Sequence, residues 1–376
     1  MKQERNSNYE LMRIISMFMI VVYHIILHGN VLGNYQNEGA MLLTKFILFI
    51  AIVHVNSFII VSGYFQSASK FKQSKLWSII NQSLFYRIII LIIFLLLDII
   101  TLNKVALIKE ISIIDMTEYC FIKTYILLYC LSPFINQFIV NLTKKSYQKL
   151  LLLLLFILSI IPTITGGNAF DNNGYTLYNF IFLYLIGAYF RKYPLKEMYI
   201  FKPLSKRLYQ IIMIITFIIA CSLNFILTNY MEKIGNVNSI LGELSNYIGK
   251  ASIAYSNPLV IIQTIAYFEF FGTLNIKNKL INKVASLTLG VYMIHDNNFI
   301  RANIYKWLKI DNGPIYSYKF IIYIFLIAIL IYIACSIIEY IRQLLFKFVY
   351  KRRISEKLRK KYYQLINEIY ICNNKA

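Results

Sequence analysis

Arg13 and His24 bracket the run RIISMFMIVVYH, which otherwise has the character of a transmembrane helix. Ionisable side chains at membrane depth are costly and mark functional positions. Eleven residues make about three helical turns, so at ~100° per residue the two side chains fall within ~20° of each other on one face. Along the axis they stand ~16 Å apart, at ~1.5 Å per residue. A guanidinium near one membrane surface and an imidazole beyond the midplane thus share a stripe. That layout suits a cofactor entering from one side and chemistry carried out nearer the other.

The elements that must position this pair are helices in a bilayer. Of 376 residues, 58% are hydrophobic and 15% charged, and the mean hydropathy is +0.58. A soluble domain of this size carries more charge and fewer long apolar runs. Runs of bilayer-spanning length recur throughout. The expected fold class is therefore all-α, a polytopic integral membrane protein of the cell membrane. The formal charge of +22 does not point to nucleic acid, because the basic residues lie in short loops between apolar runs. The orientation rule and anionic lipid account for them there. Cys120, Cys130, Cys221, Cys335 and Cys372 lack metal-ligand spacing and mostly fall in or beside apolar runs, as small buried side chains do. Lys2 and Arg5 before an apolar stretch imitate a signal peptide. No small-residue cleavage motif follows, so the segment is expected to be retained.

Ten apolar segments are expected, near 10–28, 42–64, 79–100, 119–139, 149–166, 176–190, 209–228, 252–272, 284–300 and 319–341. Pro162 should kink the fifth or end it. Of the 39 Lys and Arg, 27 fall in alternate loops and termini assigned to the inside, eight fall outside, and four (Arg13, Lys45, Arg87, Lys123) lie within segments. This bias puts both termini in the cytoplasm. Residues 1–345 then form one membrane-embedded domain. Residues 346–376 form a basic tail with periodic apolar positions (Leu358, Tyr362, Leu365, Ile369), expected to lie on the inner leaflet as an amphipathic helix.

Orientation sorts the intramembrane polar groups into two clusters. The inner one holds Arg13, Ser62, Gly63, Tyr64 and Arg87, beside Lys70, Lys72 and Lys75. It is cationic, its arginines pair well with phosphates, and its glycine permits close backbone approach. The outer one holds His24, His28, His295 and Asp296, which supply a base near neutral pH and a carboxylate to orient it. Each residue also has a plainer reading. Arg13 and Arg87 can snorkel to headgroups, His28 can be interfacial, and His54 can be a packed core histidine. His24 and His28 have i, i+4 metal-ligand spacing, but no acidic or Cys ligand lies near them in that segment, so no metal is expected. Glu339 has Arg342 three residues on, which suits a local ion pair. Glu269 has no assigned role.

The pattern resembles the membrane-bound acyltransferase 3 family. An Arg, ten intervening residues and a His in the first helix is similar to that family's signature. So are NSFIIVSGYF (Asn56 to Phe65) closing the second helix, Arg87 opening the third, and LGVYMIHD (Leu289 to Asp296) late in the chain. The resemblance spans roughly residues 5–345. It implies an enzyme that takes an acyl group, usually acetyl, from cytosolic acyl-CoA and places it on an extracytoplasmic hydroxyl, mostly of a surface polysaccharide or exported glycoconjugate. It makes His24 the catalytic histidine and Arg13 its motif partner. Roles for His295 and Asp296 rest on depth alone.

The resulting expectation is an O-acetyltransferase with acetyl-CoA or another acyl-CoA as donor substrate. Arg13, Arg87, Ser62, Gly63 and Tyr64 would bind the donor, and His24, His295 and Asp296 would act on it. Membrane lipids and a glycan or lipid-linked sugar acceptor are the expected partners, with homo-oligomerisation left open. His24 acts either as general base or as acyl carrier. Two rival readings are a transporter or flippase of lipid-linked oligosaccharide, and a polysaccharide polymerase. Neither an internal repeat nor a large outer loop is evident in the sequence to support them.

Overall fold

The computed structural model describes residues 5–34, 37–101, 119–165, 173–235, 245, 249, 253–310 and 318–353. Among these residues the fold is all-helical, with no strand. The expected amphipathic tail beyond residue 353 lies outside them. Among the described residues six helices are long and apolar enough to cross a membrane, against the ten segments expected along the whole chain.

Helix α1 (Ser7–His28) is the axis of the bundle. Asn6 caps it by accepting from the Asn8 amide, and Glu10 sits in its first turn, where a carboxylate favours the helix dipole. Its 22 residues span ~33 Å at ~1.5 Å each, which matches a hydrocarbon core. One apolar core gathers Met17, Ile20, Val21 and Ile25 of α1 with the helices that close the chain. A second gathers Tyr9 and Met12 with the middle helices. The first helix therefore belongs to both cores.

The second span, Glu38–Gln66, is broken in the middle into α2 (Glu38–Ala51) and α3 (His54–Gln66). His54 Nδ1 lies 2.6 Å from the Ala51 carbonyl, and Ser57 Oγ donates to the His54 carbonyl at 2.7 Å. Side chains that bond nearby backbone compete with the helical ladder, and here they hold His54 at the break. Beyond it, α3 packs backbone to backbone on α8 (Leu177–Lys192). A Cβ on Gly63 would stand 2.1 Å from the Tyr184 carbonyl oxygen, and one on Gly187 would stand 2.1 Å from that of Ile60. Small residues permit this approach. α8 is only 16 residues long and is buried on nearly every side from Asn179 to Phe190.

α4 (Gln73–Leu96) and α5 (Cys120–Val140) follow the second span. α6 (Lys144–Leu155) and α7 (Ile161–Thr165) are joined through a π-helical stretch, Phe156–Ile160. Pro162 therefore distorts the fifth segment without ending it. The ring cannot donate and crowds the carbonyl four residues back, and local widening of the helix accommodates both. α9 (Lys206–Gly235) pairs with α10 (Pro258–Gly272).

The ninth expected segment is three short helices: α11 (Lys279–Ala285), α12 (Thr288–His295) and α13 (Asn298–Trp307). Asn278 starts α11 by accepting from the backbone amides two and three residues on, and Asn297 starts α13 by accepting from the amide two residues on, as N-cap residues do. α14 (Tyr318–Arg353) runs 36 residues, well past the apolar segment expected there. Leu326, Ile329, Leu330, Ile333 and Ile337 on α14, and Ile211, Ile215 and Ile218 on α9, are exposed. Apolar surface facing outward on helices of spanning length is what a lipid solvent requires.

Candidate active site

A cavity of about 250 Å³ opens between α1, α3, α4, α5 and the α11–α12 region. Its lining contains the cations Arg5, Arg13 and Lys75 and the imidazoles His24 and His54. Apolar side chains, including Met17, Ile20, Val55, Phe58, Ile79 and Phe121, form its walls. Arg13 and His24 thus border one continuous space, because the shared stripe of α1 faces it.

Around the cations, Arg13 is a third exposed. Its nearest carboxylate, Glu10 Oε1, stands 3.6 Å from the guanidinium, and the same oxygen is 4.0 Å from Arg5. These distances are longer than charge-assisted hydrogen bonds. Arg13 Nε is buried with no hydrogen-bond partner among the described residues. The phenol of Tyr125 gathers Gln66 at 2.8 Å, Ser62 at 3.3 Å and Lys75 at 3.5 Å. Ser62 and Tyr125 also line the cavity.

At the other end, three polar side chains, His295, Asp296 and His28, converge on His24. His295 Nε2 is 3.2 Å from His24 Nδ1, and Asp296 Oδ1 is 3.4 Å from the same nitrogen. His295 Nδ1 is 2.6 Å from the Val291 carbonyl. Arg301 donates to Asp296 Oδ1 at 3.0 Å and to Asn298 Oδ1 at 2.7 Å. Asp296 is the residue at which α12 ends and Asn297 begins α13. That break brings Arg301 back over the carboxylate. His28 lies beside His24, with ring centroids 5.1 Å apart. One ligand atom each from His24, His28 and Asp296 falls within 4.8 Å of the others. Arg301 at the same carboxylate disfavours a cation there.

His24, His295 and Asp296 are therefore brought together, and Arg13 and Ser62 share the cavity with Lys75. The other sequence candidates lie elsewhere. Gly63 faces α8. Tyr64 packs among Tyr9, Phe65 and Phe268, with Arg191 over its ring at 5.0 Å. Arg87 is buried on α4 and is not among the cavity-lining residues. Glu339 is fully buried and accepts from Tyr86, Arg342 and Gln343 at 2.5–2.7 Å. It clamps α4 to α14. Glu269 accepts from Tyr209 at 2.7 Å.

Sequence reasoning missed four contributors. In the sequence Arg5 and Arg301 read only as loop charges, and Tyr125 and Tyr175 lie in apolar or polar stretches without a motif. His54 fits the plainer reading of a packed core histidine only in part. It is buried and bonded to Ala51 and Tyr255, with Nε2 3.1 Å from the Tyr255 phenol, yet it also borders the cavity. The spacing of Asp296, Asn297 and Arg301 is the one available signal, since an Asn cap four residues before a cation can fold it back onto the residue preceding the cap.

The acyltransferase 3 family model, described as an acyltransferase domain, matches residues 6–340. The match begins at the cap of α1 and ends within α14, and so takes in every cavity-lining residue except Arg5. No curated protein and no solved structure matches the chain.

Proposed function

The chain belongs to the acyltransferase 3 family, and on that premise we propose that it moves an acyl group from cytosolic acyl-CoA to a hydroxyl on the far side of the membrane. The acyl group in this reading is acetyl. The acceptor is a sugar of a cell-surface polysaccharide or exported glycoconjugate. The observation that carries the proposal is the single cavity bordered by Arg5, Arg13 and Lys75 and also by His24. Phosphates pair with the cations, and the apolar walls accept the pantetheine arm. The ~16 Å between Arg13 and His24 along α1 is of the right order for that arm.

His24 then acts as general base. It takes the proton of the acceptor hydroxyl as that oxygen attacks the thioester carbonyl. The new C–O bond forms, the C–S bond breaks, and the proton passes to the departing thiolate, leaving free CoA. The Asp296 carboxylate at 3.4 Å stabilises the transient imidazolium, and Arg301 holds that carboxylate in place.

The loop-charge bias supports cytoplasmic termini, with Arg13 inside and Asp296 outside, so donor and acceptor meet His24 from opposite faces. Ten crossings, a cell-membrane location, membrane-lipid contacts and a basic tail on the inner leaflet complete the reading. Family membership favours acyl transfer over the transporter and polymerase alternatives.

The test is transfer of label from radioactive acetyl-CoA in membranes carrying the protein. Wild type should label an acceptor, and His24→Ala should not, at equal expression. Near-normal labelling by His24→Ala refutes the assignment. Label retained on the protein without an acceptor would instead identify an acyl-histidine route.

A further inference from the structure

The partners of the two histidines define where their protons sit. Val291 O is a carbonyl and can only accept, so the 2.6 Å contact places a proton on His295 Nδ1. A neutral imidazole has one N–H, which leaves His295 Nε2 an acceptor. That acceptor is 3.2 Å from His24 Nδ1. The other neighbour of His24 Nδ1 is Asp296 Oδ1, a carboxylate oxygen that already accepts from Arg301. Both groups facing His24 Nδ1 therefore accept, and the nitrogen must donate.

We infer that His295 is a positioning residue that fixes His24 as the Nδ1–H tautomer and leaves the lone pair on Nε2. His24 borders the cavity, and its Nε2 has no hydrogen bond to the described residues. Nε2 is thus the nitrogen that meets the acceptor hydroxyl. The tautomer of a histidine is set by the hydrogen bond its other nitrogen makes. Here a second histidine, anchored on its own helix backbone, performs the orienting task that a carboxylate performs in hydrolase triads. Asp296 has a separate task. It balances charge once His24 is protonated, and Arg301 holds it in place.

The assignment of the reactive atom rests on the proposed acyl transfer, but the tautomer itself does not. The test uses full-length protein labelled with 15N-histidine, purified in detergent. Only four histidines are present, and the His24 signal is identified by its loss in His24→Gln. In wild type at neutral to alkaline pH, His24 should carry its proton on Nδ1, with Nε2 bare. His295→Phe keeps an aromatic ring and removes the hydrogen-bonded acceptor, leaving only Asp296 Oδ1 at 3.4 Å, which Arg301 already engages, so part of the proton population should move to Nε2. In the same variant kcat should fall roughly 10²-fold, the scale of general-base catalysis, while KM for acyl-CoA moves less than about twofold. His295→Gln can present an amide oxygen where Nε2 stood, and should retain the wild-type tautomer and most of kcat.

A wild-type His24 protonated on Nε2 overturns the inference. So does a His295→Phe protein with unchanged tautomer and kcat. Should His295→Phe fail to fold, the wild-type spectrum and the glutamine variant still decide. An Nδ1–H tautomer in a protein that transfers no acyl group would refute the proposed function and leave the tautomer assignment standing.

Discussion

Replacing Arg13 by alanine should weaken use of acyl-CoA but not of a donor without phosphates. Arg13 borders the cavity, its Nε is buried without a partner among the described residues, and its guanidinium stands 3.6 Å from Glu10. It therefore has donors to spare for a phosphate. A hydrogen bond to a charged group contributes about 1.5–3 kcal/mol, and the third of the side chain that is exposed places the expectation at the lower half of that range. About 1.5–2 kcal/mol corresponds to a roughly 10- to 30-fold rise in KM. Lysine at the same position should restore part of it, since a point charge replaces a planar fork. The assay compares acetyl-CoA with acetyl-pantetheine in wild type and in Arg13→Ala. Arg13→Ala should raise KM for acetyl-CoA and leave KM for acetyl-pantetheine within about twofold, and the difference should shrink at high salt. An equal effect on both donors would mean that Arg13 supports the fold or the acyl end, and would refute its pairing with phosphate. No effect on either would reduce it to a headgroup contact.

Two further expectations follow from the same geometry. In a background lacking the five native cysteines, Ala302→Cys should react with an impermeant thiol reagent from outside the cell and Ser74→Cys only from inside; the opposite pattern would overturn the orientation read from loop charge. Gly63→Ala should lower thermal stability in detergent by at least the ~1–3 kcal/mol of an overpacked core, because the added Cβ meets the Tyr184 backbone at 2.1 Å. It should do so without a selective rise in KM for acyl-CoA, and an intact protein with poor donor binding would return Gly63 to the donor site.

The family, the all-helical membrane character and the Arg13–His24 stripe were legible in the amino-acid sequence. Each depends on short-range properties: the length of apolar runs, the helical repeat within α1, and motifs a few residues long. The inner and outer polar clusters were legible only in part. Depth along a helix follows from residue number, but the direction a side chain faces depends on which helix packs beside it. Gly63 and Tyr64 follow Ser62 directly, yet successive residues of a helix point ~100° apart. Ser62 meets the cavity, while Gly63 meets α8 and Tyr64 meets Tyr9. Arg87 shares their depth but lies off the cavity.

The helix breaks at Ile52–Val53 and Asp296–Asn297 were equally hidden. They arise where side chains take over backbone hydrogen bonds, with no Pro or Gly at either break to announce a stop. The tertiary structure alone brought His295 into contact with His24 across 271 residues of chain, folded Arg301 onto Asp296, and added Arg5 to the cations beside Arg13. Local sequence determines which residues share a helix face. Long-range packing between helices determines what that face meets, and the chemistry proposed here resides in those meetings.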